Sequence, residues 1–130
     1  MTTDNQFQQN QKLWGVSQHL FVGANTDLAI AYGKAGGASS LHYHAHKHNT
    51  FVVLSGEVVI RKTTSDMAKG SRLLALDSYT VSAGVPHRMV FVKDTVLHEL
   101  YVAVDGYPIE MGDIVRLEPG WEPPCKQPSE

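Results

Sequence analysis

Along the chain, apolar residues alternate with polar ones at a period close to two, in short runs. The clearest are LAIAYGK (28–34), FVVLSGEVVIRKT (51–63), SRLLAL (71–76), HRMVFV (87–92) and VLHELYVAV (96–104), each bounded by Gly, Asp, Ser or Pro. A period of two sends successive side chains to opposite faces of a strand, and Val, Ile, Phe and Tyr suit that surface. No stretch of ten or more residues reads as a helix, and at most one helical turn is expected, near Gly112–Val115. Ser55-Gly56 separates two apolar runs and predicts a hairpin. Several short strands at regular spacing predict an all-β antiparallel sandwich or barrel of the jelly-roll kind. Residues 1–11 are rich in Gln and Asn, and 119–130 hold four of the six prolines, so both ends are expected to be flexible around one domain at 12–118.

The same alternation sorts individual side chains. Counting inward from Asn49 puts Phe51 and Val53 inside the barrel, and Trp14, Tyr32 and Tyr101 are expected in the core or the barrel wall. His98 and Glu99 are neighbours on one strand, so only one of them faces inward. Glu57, just after the turn, is expected in solvent.

Composition narrows the class. The 130 residues, 42% hydrophobic and 18% charged, suit one sizeable core and are too few for two. A net charge of −2 with scattered Lys and Arg speaks against a nucleic-acid partner. No apolar run approaches the roughly 20 residues that span a bilayer, so no membrane partner is expected. The opening MTTDNQFQQNQK has no apolar segment of the secretory kind, which makes the cytoplasm the default expectation. Cys125 is the only cysteine, so neither an internal disulfide nor a cysteine-based zinc site is possible.

One segment adds chemistry. HYHAHKHN (42–49) places His42, His44, His46 and His48 at alternate positions, four of the seven histidines. On a straight strand alternate residues lie about 7 Å apart, and a metal–imidazole bond is about 2 Å. A single ion therefore cannot take all four unless the strand bends, although two neighbours can converge on it.

Longer spacings carry a resemblance. Gly36, His42, His44, Asn49 and Gly56 follow the first cupin motif, G-x5-H-x-H-x4-E-x6-G, with Asn49 in the glutamate position. LDSYTVSAGVPHRM resembles the second motif, G-x5-P-x-G-x2-H: Gly84 and His87 match, while Leu76 and Ser82 replace Gly and Pro. The chain thus resembles the cupin superfamily, which implies a small double-stranded β-helix, the cupin jelly-roll barrel. It also implies one divalent transition metal held by His42, His44 and His87, with Asn49 at the fourth position. Three neutral imidazoles suit Zn, Fe or Ni better than Mg or Mn.

A closer resemblance runs over roughly residues 12–118. "KLWG", "AGGASSLHYHAHKHNTFVVLSGEV", "VSAGVPHRM" and "GDIVRLE" occur in that order, and they are similar to the cupin domain of type II mannose-6-phosphate isomerases. His42 stands where that family has Gln, and "PGWEPP" replaces its acidic ending. The resemblance implies isomerisation or epimerisation of a sugar or sugar phosphate. His46 is then a candidate proton carrier at the mouth, with Arg116 as a catalytic or phosphate contact, Arg88 as a second phosphate contact, and Phe51 as a substrate contact. A homodimer is the implied assembly and a small molecule the implied ligand. Two other readings stay open at this point: a three-histidine iron oxygenase, and a non-enzymatic cupin that binds a small sugar-like ligand.

Overall fold

A computed structural model describes residues 7–62 and 70–124. Its strands, in chain order, are β1 (Gln9–Lys12), β2 (Gly15–Val22), β3 (Thr26–Gly33), β4 (Leu41–Tyr43), β5 (Lys47–Ser55), β6 (Glu57–Arg61), β7 (Ser71–Leu74), β8 (Ser78–Val81), β9 (Arg88–Phe91), β10 (Thr95–Ala103) and β11 (Val115–Glu118). Among the described residues no helix is long and apolar enough to cross a membrane.

The first layer is a six-stranded antiparallel sheet in the order β1-β2-β3-β10-β5-β8. The second is built from the pair β11-β4 and the triplet β7-β6-β9. These two pieces are stitched where His42 N donates to His87 O at 3.0 Å and His87 N donates to His42 O at 2.8 Å. The architecture is the expected all-β, double-stranded β-helix.

Binary patterning explains how the layers close. On β5, Lys47, Asn49, Phe51 and Val53 are buried, while the residues between them are half-exposed. On β3 the buried set is Asp27, Ala29, Ala31 and Gly33, and on β10 it is Thr95, Leu97 and Glu99. Cross-strand register aligns these sets in rows: Ala31, Leu97 and Val53, then Ala29, Glu99 and Phe51, then Asp27, Tyr101 and Asn49. The inward face therefore changes from apolar to polar along its length. Its apolar end joins Trp14, Val58, Ile60, Leu73, Val81, Met89 and Phe91 in one core cluster. Burying a side chain such as Phe51 contributes about 1.5–3 kcal/mol. The polar end faces a cavity.

Several sequence expectations are corrected here. β5 and β6 lie in different sheets and do not pair, so Ser55-Gly56 is a crossing between layers rather than a hairpin. Gly56 holds a φ of 99°, and a Cβ there would run into the backbone of Asp94 and Thr95. Glu57 is only 3% exposed and pairs with Arg72 and Lys93, whose own side chains reach solvent. Tyr32 is 46% exposed because it lies on the outward phase of β3, between Ala31 and Gly33. Gly112–Val115 forms no helix; β11 begins at Val115 instead.

Backbone pairing also reaches beyond 12–118 at both ends. Residues 9–11 belong to β1 and pair with β2, and Trp121 exchanges backbone hydrogen bonds with Ala38 at 2.9 and 3.0 Å. Non-local pairing overrides the polar and Pro-rich local composition at both ends. The outermost termini, Cys125 among them, lie outside the described residues. Leu76 carries a φ of 71°, the left-handed backbone that glycine would adopt freely at this motif position.

Candidate metal centre

The site begins with a bend. β4 ends at Tyr43 and β5 starts at Lys47, so the run of alternate histidines is interrupted. The Asp113 carboxylate accepts from the backbone N–H of Ala45 at 2.9 Å through Oδ1 and from that of His46 at 2.9 Å through Oδ2. The bend shifts the phase of the chain. His42 and His44 face inward before it, and Lys47, Asn49 and Phe51 face inward after it. His46 is left outside, its ring stacked on Tyr107 at 3.9 Å and 6°. His48 turns to the β8–β9 connection, where its Nδ1 accepts from the backbone N–H of Ala83 at 3.0 Å.

His87 joins from the other motif through its backbone bonds to His42. The ligand atoms of His42, His44 and His87 lie within 4.8 Å of one another, and all three residues are buried. Each ring is oriented from behind. Nδ1 of His42 lies 2.9 Å from the Ser40 carbonyl, Nδ1 of His44 lies 2.7 Å from that of Asp113, and Nδ1 of His87 lies 3.0 Å from that of Val85. A ring that donates through Nδ1 leaves Nε2 as an unprotonated lone pair, the form in which imidazole ligates metals. Nε2 of His44 and of His87 is buried with no hydrogen-bond partner.

Electrostatics keeps these rings neutral. Burial pushes His42 down to about 3, and its neighbours His87 and His44 act in the same direction. Burial also pushes His44 down to about 4, against the opposing hydrogen bond that its ring donates to the Asp113 carbonyl. His87 is lowered chiefly by burial. Converging neutral imidazoles with orphaned, buried Nε2 atoms make a donor set that fits one borderline transition ion.

His42 and His44 open on a cavity of about 370 Å³ whose lining also includes Lys47, Glu99, Tyr101 and Arg116, while His87 closes the triad from the buried side. Asn49 faces inward as expected, and its Nδ2 donates to Glu99 Oε1 at 3.4 Å while Oδ1 is buried without a partner. Glu99, not His98, is the inward member of that pair of neighbours. Burial raises its carboxyl above the ordinary range, although hydrogen bonds from Asn49 and Tyr101 oppose the shift. Tyr101 donates to the same Glu99 oxygen at 3.1 Å, and burial raises its phenol well above the ordinary value.

Of the other expected contacts, Arg116 sits on β11 opposite His42 and lines the cavity. Phe51 does not line it: the ring is fully buried, edge-on to His87 at 5.9 Å, and it supports the triad from within the core. His46 is displaced from the cavity by the bend. Arg88 is corrected too. It is 5% exposed and its guanidinium is already committed, with Nε donating to Ser39 O at 3.2 Å and a terminal nitrogen to Pro119 O at 2.9 Å. The group also lies over the Trp121 ring at 4.7 Å. Arg88→Met is expected to lower unfolding stability by about 2–3 kcal/mol, because a buried carbonyl and a part-buried one lose a charged donor. Chemical denaturation measures this; an unchanged midpoint would return Arg88 to the list of free cations.

Sequence reasoning passed over Asp113, the clamp of the bend, and Lys47, whose Nζ donates to Glu110 O at 2.7 Å. Asp113 sits within the "GDIVRLE" block, the one signal that pointed to it.

Comparison with known proteins agrees with this geometry at the level of fold. No family model and no curated protein sequence matches the chain. Solved structures do. An RmlC-like cupin from Shewanella frigidimarina NCIMB 400 superposes with a TM-score of 0.64 at 18% identity, over 81% of this chain and 91% of that one. An uncharacterized conserved protein with a double-stranded β-helix domain from Klebsiella pneumoniae matches at 0.66 and 14%, over 81% and 85%. A variant of oxalate decarboxylase from Bacillus subtilis matches at 0.71 and 12%, over 90% of this chain but 33% of that one. The fold is therefore the cupin double-stranded β-helix. At these identities the likeness carries fold and no activity.

Proposed function

We propose that this chain is a metal-dependent cupin that acts on a sugar or sugar phosphate, with His42, His44 and His87 holding one Zn, Fe or Ni ion. The observation that carries the reading is the triad: three buried rings held through Nδ1, with converging ligand atoms, two of the rings lining an open cavity. A bound ion would act there as a Lewis acid towards a carbonyl or hydroxyl oxygen. The three imidazoles bring no charge, and Asn49 supplies a neutral amide where a carboxylate would cancel one unit. The site so formed favours anionic or ionisable ligands.

The protein's own residues extend that preference. Lys12, Lys47 and Arg116 share the cavity lining with His42 and His44, so cations stand on more than one wall. A guanidinium such as that of Arg116 matches a phosphate by charge and by paired N–H donors. The motif blocks that resemble type II mannose-6-phosphate isomerases support the sugar-phosphate class in particular.

Calorimetry of the zinc-loaded protein with mannose 6-phosphate, fructose 6-phosphate and mannose tests the reading. The phosphorylated hexoses are expected to bind at least about tenfold more tightly, the effect of one charged hydrogen bond. Equal affinity for all three, or no binding by any, would remove the sugar-phosphate class.

A further inference from the structure

We propose that His19 and Asp27 form a second working pair in the cavity, a proton carrier for a carbonyl-bearing ligand lodged against His42 and His44. The reaction class rests on the sugar-phosphate reading above; the geometry of the pair does not. His19 lies on β2 and Asp27 on β3, and both line the cavity together with His42 and His44. A register shift between His19 and Phe21 breaks the regular pairing of β2 with β3 at this point. Such bulges re-aim side chains and are common beside active sites. His19 Nδ1 lies 2.7 Å from Asp27 Oδ1. Asp27 is 0% exposed, and its second oxygen, Oδ2, is buried without a hydrogen-bond partner.

A fully buried carboxylate with one oxygen unmatched is costly to keep. Here its matched oxygen holds an imidazole that is 21% exposed at the cavity wall. With Nδ1 held by the carboxylate, Nε2 is the ring nitrogen left to a ligand. A carboxylate behind an imidazole fixes the tautomer and stabilises the imidazolium formed when the ring takes a proton. The charged and titratable groups around the pair are Lys12 on β1, Lys47 on β5, and Glu99 and Tyr101 on β10.

The chemistry balances without an oxidant or a reductant. His19 Nε2 takes the proton from the carbon beside the ligand's carbonyl. The C–H electron pair becomes the C=C bond of an enediolate, and the carbonyl π pair moves to its oxygen. Return of the proton to the former carbonyl carbon, with transfer of the hydroxyl proton between the two oxygens, interconverts aldose and ketose.

Two measurements on the zinc-saturated, untagged chain decide the matter. In the first, bromoacetate, an anion suited to a cavity bearing Lys12, Lys47 and Arg116, is allowed to alkylate the protein, and the modified peptides are mapped by mass spectrometry. His19 is expected to react several-fold faster than His46 or His98. Asp27→Asn, an isosteric change that removes a buried charge and so spares the fold, is expected to bring it down to their rate. A His19 rate no higher than theirs, or one indifferent to Asp27→Asn, would overturn the pair. In the second, deuterium uptake from solvent into fructose 6-phosphate is followed by NMR. His19→Gln is expected to slow exchange by about a hundredfold or more, with zinc content and hexose-phosphate affinity retained. Exchange at the wild-type rate in His19→Gln would overturn the proton-carrier role. If the wild-type chain exchanges nothing, the sugar-phosphate reading falls, and alkylation still decides whether the pair exists.

Discussion

His44→Ala is expected to abolish stoichiometric metal binding while leaving the chain folded. The untagged wild-type protein, reconstituted with Zn, Fe or Ni, should hold about one equivalent, since one set of three converging imidazoles suits one ion. Removing His44 takes away one of three donors, and the two that remain, His42 on β4 and His87 just before β9, have nothing to compensate. The fold should survive because His44 lies at the polar end of the barrel, outside the core cluster of Phe51, Val53, Leu97 and their neighbours. A graded comparison strengthens the test. Asp113 holds the bend through the N–H groups of Ala45 and His46 and is not among the converging ligand groups. Asp113→Ala should therefore weaken binding by about 10–100-fold, the usual cost of losing a group that orients a ligand. Elemental analysis and competitive titration with a chelator read both effects. Full metal content in His44→Ala, or none in the reconstituted wild type, would sink the metal centre.

The parts of this molecule that could be read from its sequence share a physical character. β3, β5 and β10 alternate strongly because one face of each packs on a core, and a period of two is visible in the residues themselves. His42, His44 and His87 were legible through their distances to Gly36, Gly56 and Gly84, which are set by turns. The inward aim of Asn49 followed from counting along β5. What could not be read depends on partners far along the chain. The bend that turns His46 out is made by Asp113, 67 residues away. Arg88 looked like a free cation until its guanidinium met carbonyls 49 and 31 residues distant. β1, β2 and β11 are polar or irregular locally and become strands by pairing with β2, β3 and β4. The same irregularity, a bulge in GVSQHLFV, concealed His19 from any period count.

Acid should unfold the metal-free protein well before it unfolds the metal-loaded form. An imidazole free in the unfolded chain titrates near its ordinary value of about 6.5. In the fold, burial first and neighbouring histidines next hold His42 at about 3, while burial holds His44 at about 4, and His87 is lowered as well. The sign follows from proton counting. Below about pH 6.5 the unfolded chain takes up protons that the folded chain refuses, so stability falls as pH falls, at up to about 1.4 kcal/mol per pH unit for each such group. His42 and His44 together then remove roughly 3 kcal/mol per unit between about pH 6 and pH 4, a large share of the 5–15 kcal/mol typical of a domain. Glu99 acts in the opposite sense, since its raised value lets the fold gain a proton as pH drops, and it recovers part of the loss. A bound ion competes with protons for the same three rings and stabilises only the folded form, so excess zinc should displace the transition to lower pH. Thermal melts of chelator-treated protein at pH 7.5, 6 and 5 should show a steep fall in Tm that zinc reverses and that His42→Gln makes shallower. A Tm that stays level from pH 7.5 to 5 in the metal-free chain would mean that the three rings are not the buried, neutral donors this site requires.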